Sequence, residues 1–241
     1  MASYDTKSNG STGGGGNDIQ ESDSKPLGDT SNGGSGSDPI TVQPFDPAPS
    51  TLQDALGKTG KSIPVMEALA GANPFYNGGT QGDFSANCQR AVVAYEMRRR
   101  GYDVMALPTY AGDRMPSAGN WEKVFNGAKR INVGASSPQK VQANLEAHMK
   151  SFGNGSRGII GIPGHVFNVE NVGGKIRYVD AQTNTVYNSK GVFSRLGKRG
   201  SQSVTLIRTD KLGINPGIRK SVTPVTSTTQ MIVDRRQKRT V

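Results

Sequence analysis

The chain has 241 residues, of which 33% are hydrophobic and 32 are glycine, too lean a mixture to fill one core along the whole length. Its net charge of +10 is uneven: residues 1–50 carry seven acids and two lysines, a net of −5, which leaves +15 on residues 51–241. One cysteine excludes an internal disulfide and a multi-thiolate zinc site, and no apolar run approaches the ~18–20 residues of a membrane span.

A lone thiol points to a reducing, cytoplasmic-type compartment, and Met1–Gly10 lacks the apolar stretch of a secretory signal. No cofactor or metal motif is read. The basic body is suited to anionic partners, without choosing among nucleic acid, acidic protein and membrane surface.

In chain order, residues 1–50 read as a disordered acidic arm, with low-complexity runs at Ser8–Asn17 and Gly33–Asp38. Residues 51–83 read as a linker with short helical pieces, interrupted by Gly57, Gly60 and Pro64. A helix is predicted from about Ala86 to Arg100, capped by Ser85 or Asn87, with Cys88, Val92 and Tyr95 on one face. Arg98, Arg99 and Arg100 fall in its last turn, where positive charge opposes the dipole, and Gly101 stops it. Tyr102–Leu107 reads as a strand and Trp121–Phe125 as a short apolar anchor. A second helix is expected over Pro138–Phe152, with Val141, Leu145, Met149 and Phe152 as its stripe. Arg157–Ile162 reads as a buried strand. His165–Val172 and Lys175–Gln182 alternate about Gly173-Gly174, a hairpin signal. Ser203–Arg208 adds a strand, and residues 211–241 read as a mobile basic tail ending in Arg235-Arg-Gln-Lys-Arg239. The folded part is assigned to residues 84–210.

The chemistry concentrates in three places. Cys88 heads a predicted helix, where the positive end of the dipole favours a thiolate, the form that attacks acyl carbons. A lone Cys is otherwise most often a small buried apolar residue. In the hairpin, a two-residue loop pairs Val172 with Lys175 and sets Glu170 against Arg177, an opposite-charge pair. The same register puts His165, Phe167, Val169, Tyr178, Asp180 and Gln182 on one face. His165 then has Gln182 opposite and Asp180 on the diagonal, ~7–8 Å away by Cα. A one-residue slip would send Asp180 to the other face. His148 lies beside the apolar stripe of the second helix with no acid at such spacing, and is given no role.

The block Asn87-Cys-Gln-Arg-Ala-Val-Val-Ala-Tyr-Glu-Met-Arg-Arg-Arg-Gly-Tyr-Asp-Val104, with Gly164-His-Val-Phe-Asn168 and Asp180-Ala-Gln182 in order behind it, resembles the papain-fold toxin family. The resemblance covers roughly residues 73–188. Family members often carry a second Cys where this chain has Ala91, and Pro where it has Ala181. The family is described as glutamine deamidases, often appended to phage head-morphogenesis or polymorphic toxin proteins.

The resemblance implies an α+β, papain-like fold in which the helix bearing Cys88 packs on an antiparallel sheet. It implies Cys88 as nucleophile, His165 as base and Asp180 as its orienting acid, with Gln182 from the same motif. The expected activity is deamidation of a protein glutamine. A papain-like thiol protease is the alternative, since both reactions pass through an acyl-enzyme. The oxyanion donor is expected from the Cys88 N–H and one of Gln81, Asn87 or Gln89. The competing class is a basic, non-enzymatic phage-particle or nucleic-acid-binding protein whose tail gives weak phosphate contacts.

Overall fold

The apolar runs between residues 131 and 208 associate as an antiparallel sheet because each is short, turn-bounded and hydrophobic on the sides it must bury. The structure, a computed structural model, describes residues 56, 61–78, 84–109, 121–187, 192–193, 196 and 198–225. The strands are β1 (Val104–Ala106), β2 (Ile131–Asn132), β3 (Arg157–Ile162), β4 (His165–Val172), β5 (Lys175–Asp180), β6 (Thr185–Tyr187), β7 (Thr205–Arg208) and β8 (Val222–Pro224). Among the described residues, six form one sheet in the order β2-β7-β3-β4-β5-β6, while β1 and β8 make a separate pair. All these pairings are antiparallel.

Helices cover both faces of the sheet. They include α1 (Val65–Ala72), α2 (Cys88–Arg99), α3 (Pro138–Phe152) and the short α4 (Lys198–Gln202). On one side Leu69 of α1 and Val92 and Tyr95 of α2 share a core with Ile159, Val166 and Val179. On the other, Val141, Leu145 and Met149 of α3 pack with Ile160, Phe167 and Tyr178. The α+β, helix-on-antiparallel-sheet fold implied by the sequence is the fold observed. Ser137 caps α3, accepting from the Lys140 N–H at 3.4 Å, and Pro138 opens its first turn.

The hairpin register is the expected one. Val172 pairs with Lys175 and Glu170 with Arg177, and Gly173 and Gly174 stand at φ +60° and +82°. Both central residues of such a primed turn need positive φ, which glycine supplies without strain. The electrostatic reason differs from the expected one. Glu170 is 1% exposed and spends its carboxylate across the sheet: it accepts from Tyr95 Oη at 3.0 Å and Arg99 Nε at 2.7 Å.

The helix of the lone cysteine is enclosed, not amphipathic. Every residue from Ala91 to Arg98 is buried, because α1, β1, β4 and β8 all touch α2. The three closing arginines are anchors as well as dipole partners. Arg98 donates to Asp103 at 2.6 Å and to the Val104 carbonyl at 3.1 Å. Arg99 reaches Glu170, and Arg100 donates to Glu96 at 2.8 Å and to the Leu212 carbonyl at 2.7 Å. Glu96 also accepts from Arg157 Nε of β3 at 2.9 Å.

One of the short helical pieces expected in residues 51–83 is α1, whose Ala68, Leu69 and Ala72 are buried in the core shared with α2. One boundary moves. The basic tail was expected from residue 211, but residues 211–225 are packed. Ile218 and Val222 enter the α1–α2 core, and β8 zips onto β1 from Val222↔Ala106 to Pro224↔Val104. Apolar residues spaced among Gly, Pro and Ser carry no helix or strand period, so the pattern concealed them. The arm of residues 1–50 and the charge run at residues 235–239 lie outside the described residues.

Removing one partner of a buried ion pair strands the other charge. Glu170→Ala is therefore expected to destabilise the fold by about 3 kcal/mol in equilibrium denaturation. Arg177→Ala, its register neighbour, is expected to stay within about 0.5 kcal/mol.

Candidate active site

The β4–β5 ladder ends at Asn168↔Val179. Beyond it the strands fork, and His165 and Asp180 close the fork: His165 Nε2 lies 2.8 Å from Asp180 Oδ2. Asp180 is buried, and its Oδ1 accepts from the N–H groups of Gln182 at 3.1 Å and Thr183 at 3.4 Å. These bonds fix the carboxylate in the turn that leads to β6. Nε2 is committed to Asp180, and the Cys88 side chain lies near enough to His165 to favour its charged form. Cys88 is the first residue of α2, partly exposed and packed against the α1–α2 core.

Burial opposes charge on His165, but Asp180 and the Cys88 side chain outweigh it and raise its pKa from 6.5 to about 10. The imidazole is thus held as a cation between a carboxylate and a sulfur at neutral pH. Its ring also stacks on Phe167, with centroids 6.1 Å apart.

Cys88, His165 and Asp180 are brought together, and Gln182 lies beside them. Its side-chain amide donates to the Ser85 carbonyl, in the segment leading into α2. Of the expected oxyanion donors, Gln81 lies outside the described residues. Asn87 has both side-chain N–H groups occupied, by Asn73 Oδ1 at 3.0 Å and the Leu107 carbonyl at 3.2 Å. Its Oδ1, the acceptor a cap would use, takes Asn73 Nδ2 at 3.2 Å, and it makes no side-chain cap to α2. Gln89 Oε1 is buried without a partner among the described residues. The Asn87 carbonyl takes the N–H groups of Arg90 and Ala91. The N–H groups of Cys88 and Gln89, at the first two helical positions, have no acceptor within the helix and are the donors at hand.

One residue of the site went unread. Asn73, the C-cap of α1, is fully buried, and its Nδ2 lies 2.8 Å from the Gln182 carbonyl, 2.9 Å from that of Phe84 and 3.2 Å from Asn87 Oδ1. The signal was its place before Pro74, where a helix must end and an amide is free to bond elsewhere.

The sequence comparison agrees with this geometry. Residues 86–185 match the family described as Papain fold toxin 1, glutamine deamidase, a span that contains Cys88, His165, Asp180 and Gln182. No curated protein and no solved structure matches the chain.

A raised imidazole pKa makes stability depend on pH. The contribution of the His165 contacts is complete below the unfolded value of 6.5 and is lost as pH rises through about 10. The wild-type thermal midpoint is expected to fall across that window by more than that of His165→Ala, measured by circular dichroism at matched ionic strength.

Proposed function

We propose that the protein is a cysteine-dependent amidohydrolase that converts a glutamine of a target protein to glutamate. The observation that carries this reading is His165, 2.8 Å from Asp180 Oδ2 and near enough to Cys88, the first residue of α2, for the sulfur to favour the charged imidazole. The deamidase description of the family matched by residues 86–185 supports it.

In this reading the Cys88 sulfur attacks the side-chain carboxamide carbon, and the C=O electrons move onto oxygen. The helix N-terminus, with the Cys88 and Gln89 N–H groups, receives that oxyanion. As the tetrahedral adduct collapses, the C–N bond breaks and His165 gives its proton to the leaving nitrogen, releasing ammonia and leaving a thioester. His165, now neutral, takes a proton from water, whose oxygen attacks the thioester carbon. The C–S bond then breaks, restoring the thiolate–imidazolium pair and freeing the glutamate side chain. Asp180 holds the ring so that one nitrogen faces the sulfur throughout. The nucleophile must be reduced, so we place the activity in a reducing compartment, against a protein of the cell that the toxin enters or is made in.

The test is mass spectrometry of candidate target proteins after exposure to wild type and to Cys88→Ala. The small mass gain of an amide becoming an acid, at particular glutamines and only with wild type, is expected. New chain termini instead would identify a protease. Cys88→Ala is expected to abolish turnover with little change in thermal midpoint. Asp180→Asn is expected to keep the fold and lose about 10²- to 10⁴-fold in turnover. If His165→Ala left the rate and pH dependence of Cys88 alkylation unchanged, the two residues would not act as a pair.

A further inference from the structure

The nucleophile and its base reach the site on separate supports. Cys88 heads α2, whereas His165 and Asp180 stand at the forked ends of β4 and β5. The far end of α2 is bound to the sheet by ion pairs between Arg99 and Glu170 and between Glu96 and Arg157. Nearer Cys88 the contacts are amides: Asn168 Nδ2 of β4 donates to the Val92 carbonyl at 3.1 Å, and a set centred on Asn73 lies at the start of the helix.

We propose that Asn73 is a positioning residue: by spanning Asn87 and the turn after Asp180, it sets the separation between the Cys88 sulfur and the His165–Asp180 pair. This rests on the reading of Cys88 as nucleophile given above. Three features carry it. The Asn73 and Asn87 side chains form a reciprocal amide pair, Nδ2 to Oδ1 at 3.0 and 3.2 Å, immediately before the nucleophile. Asn73 Nδ2 also donates to the Gln182 carbonyl at 2.8 Å, two residues after Asp180, and Asn184 Nδ2 donates back to the Asn73 carbonyl at 3.3 Å. Finally, these bonds leave α1 for other segments, and none of them caps the helix that Asn73 ends. No shorter or acidic side chain does this. A carboxylate at position 73 would set oxygens against the Phe84 and Gln182 carbonyls and Asn87 Oδ1, with no N–H to offer. A nearby second amide, from Gln182 to the Ser85 carbonyl, ties the same two segments but acts on neither Asn87 nor the first helical turn.

The test is the pH profile of Cys88 alkylation by iodoacetamide in the full chain, with turnover and thermal midpoint measured alongside. The variants are Asn73→Ala, Asn73→Asp, Asn87→Ala and the Asn73→Ala/Asn87→Ala double. Asn171→Ala is the control. It removes another buried amide, which donates to the Met149 carbonyl at 3.1 Å and accepts from the Gly174 N–H at 3.0 Å, at the opposite end of β4. Folded Asn73 variants are expected to move the acid limb of the alkylation profile to higher pH. They are also expected to lose about 10- to 100-fold in kcat, with KM little changed, since a small displacement of a reacting group has that effect. The double variant is expected to be no worse than the more impaired single variant, because both act through one amide pair. Asn171→Ala is expected to lower the thermal midpoint and leave the profile in place.

A lowered midpoint with wild-type profile and kcat in Asn73→Ala would overturn the proposal. Should Asn73→Ala and Asn73→Asp fail to fold, Asn87→Ala reports the coupling from the other side, and an unchanged profile there overturns it equally. A wild type that deamidates nothing, yet shows the alkylation shift in the variants, would remove the reaction reading and leave the positioning role standing.

Discussion

Two buried carboxylates cross between the helix of Cys88 and the sheet that carries His165. Glu170 of β4 holds Arg99 and Tyr95 of α2, and Glu96 of α2 holds Arg157 of β3 together with Arg100. Apolar packing alone is non-directional and lets a helix slide or rotate on a sheet at modest cost. Charged hydrogen bonds do not, because each has a short distance and a preferred direction. These pairs need not add net stability, since their desolvation is expensive. They select one placement of α2 from the many that its apolar surface would accept.

The site inherits that placement. With the far end of α2 fixed by ions and the near end by amides, Cys88 is brought to an imidazole that already has a partner in Asp180. The carboxylate is held by two backbone N–H groups of its own turn, so the imidazole meets a partner that is already fixed. Such preorganisation lowers the cost of arranging groups for any chemistry that uses them.

Much of this was legible in sequence wherever a period or a turn wrote it down. The Gly173-Gly174 loop specified the β4–β5 register, and the stripe of Val141, Leu145 and Met149 specified α3. What a side chain bonds to was less legible. The charge at Glu170 was assigned to its cross-strand neighbour Arg177, yet it is used across the sheet, because burial gave it a partner on α2 instead. The same holds for Asn87, offered with Ser85 as a cap for its helix and found paired with Asn73. Residues 211–225 were missed because irregular segments bury single apolar groups, such as Ile218, without repeating them.

The pairing of β1 with β8 has a consequence in time. The Leu107 carbonyl that receives Asn87 continues directly from β1, and the Leu107 N–H in turn bonds the Ser221 carbonyl, just before β8. These partners are far apart along the chain, a separation that slows folding. During synthesis the helix of Cys88, the β4–β5 hairpin and α3 all emerge from the ribosome before Ser221 and Val222 do. A nascent chain thus carries the sulfur, the imidazole and the carboxylate while the strand that steadies their surroundings is still unmade. The surroundings of Cys88 are therefore complete only once translation has passed Val222.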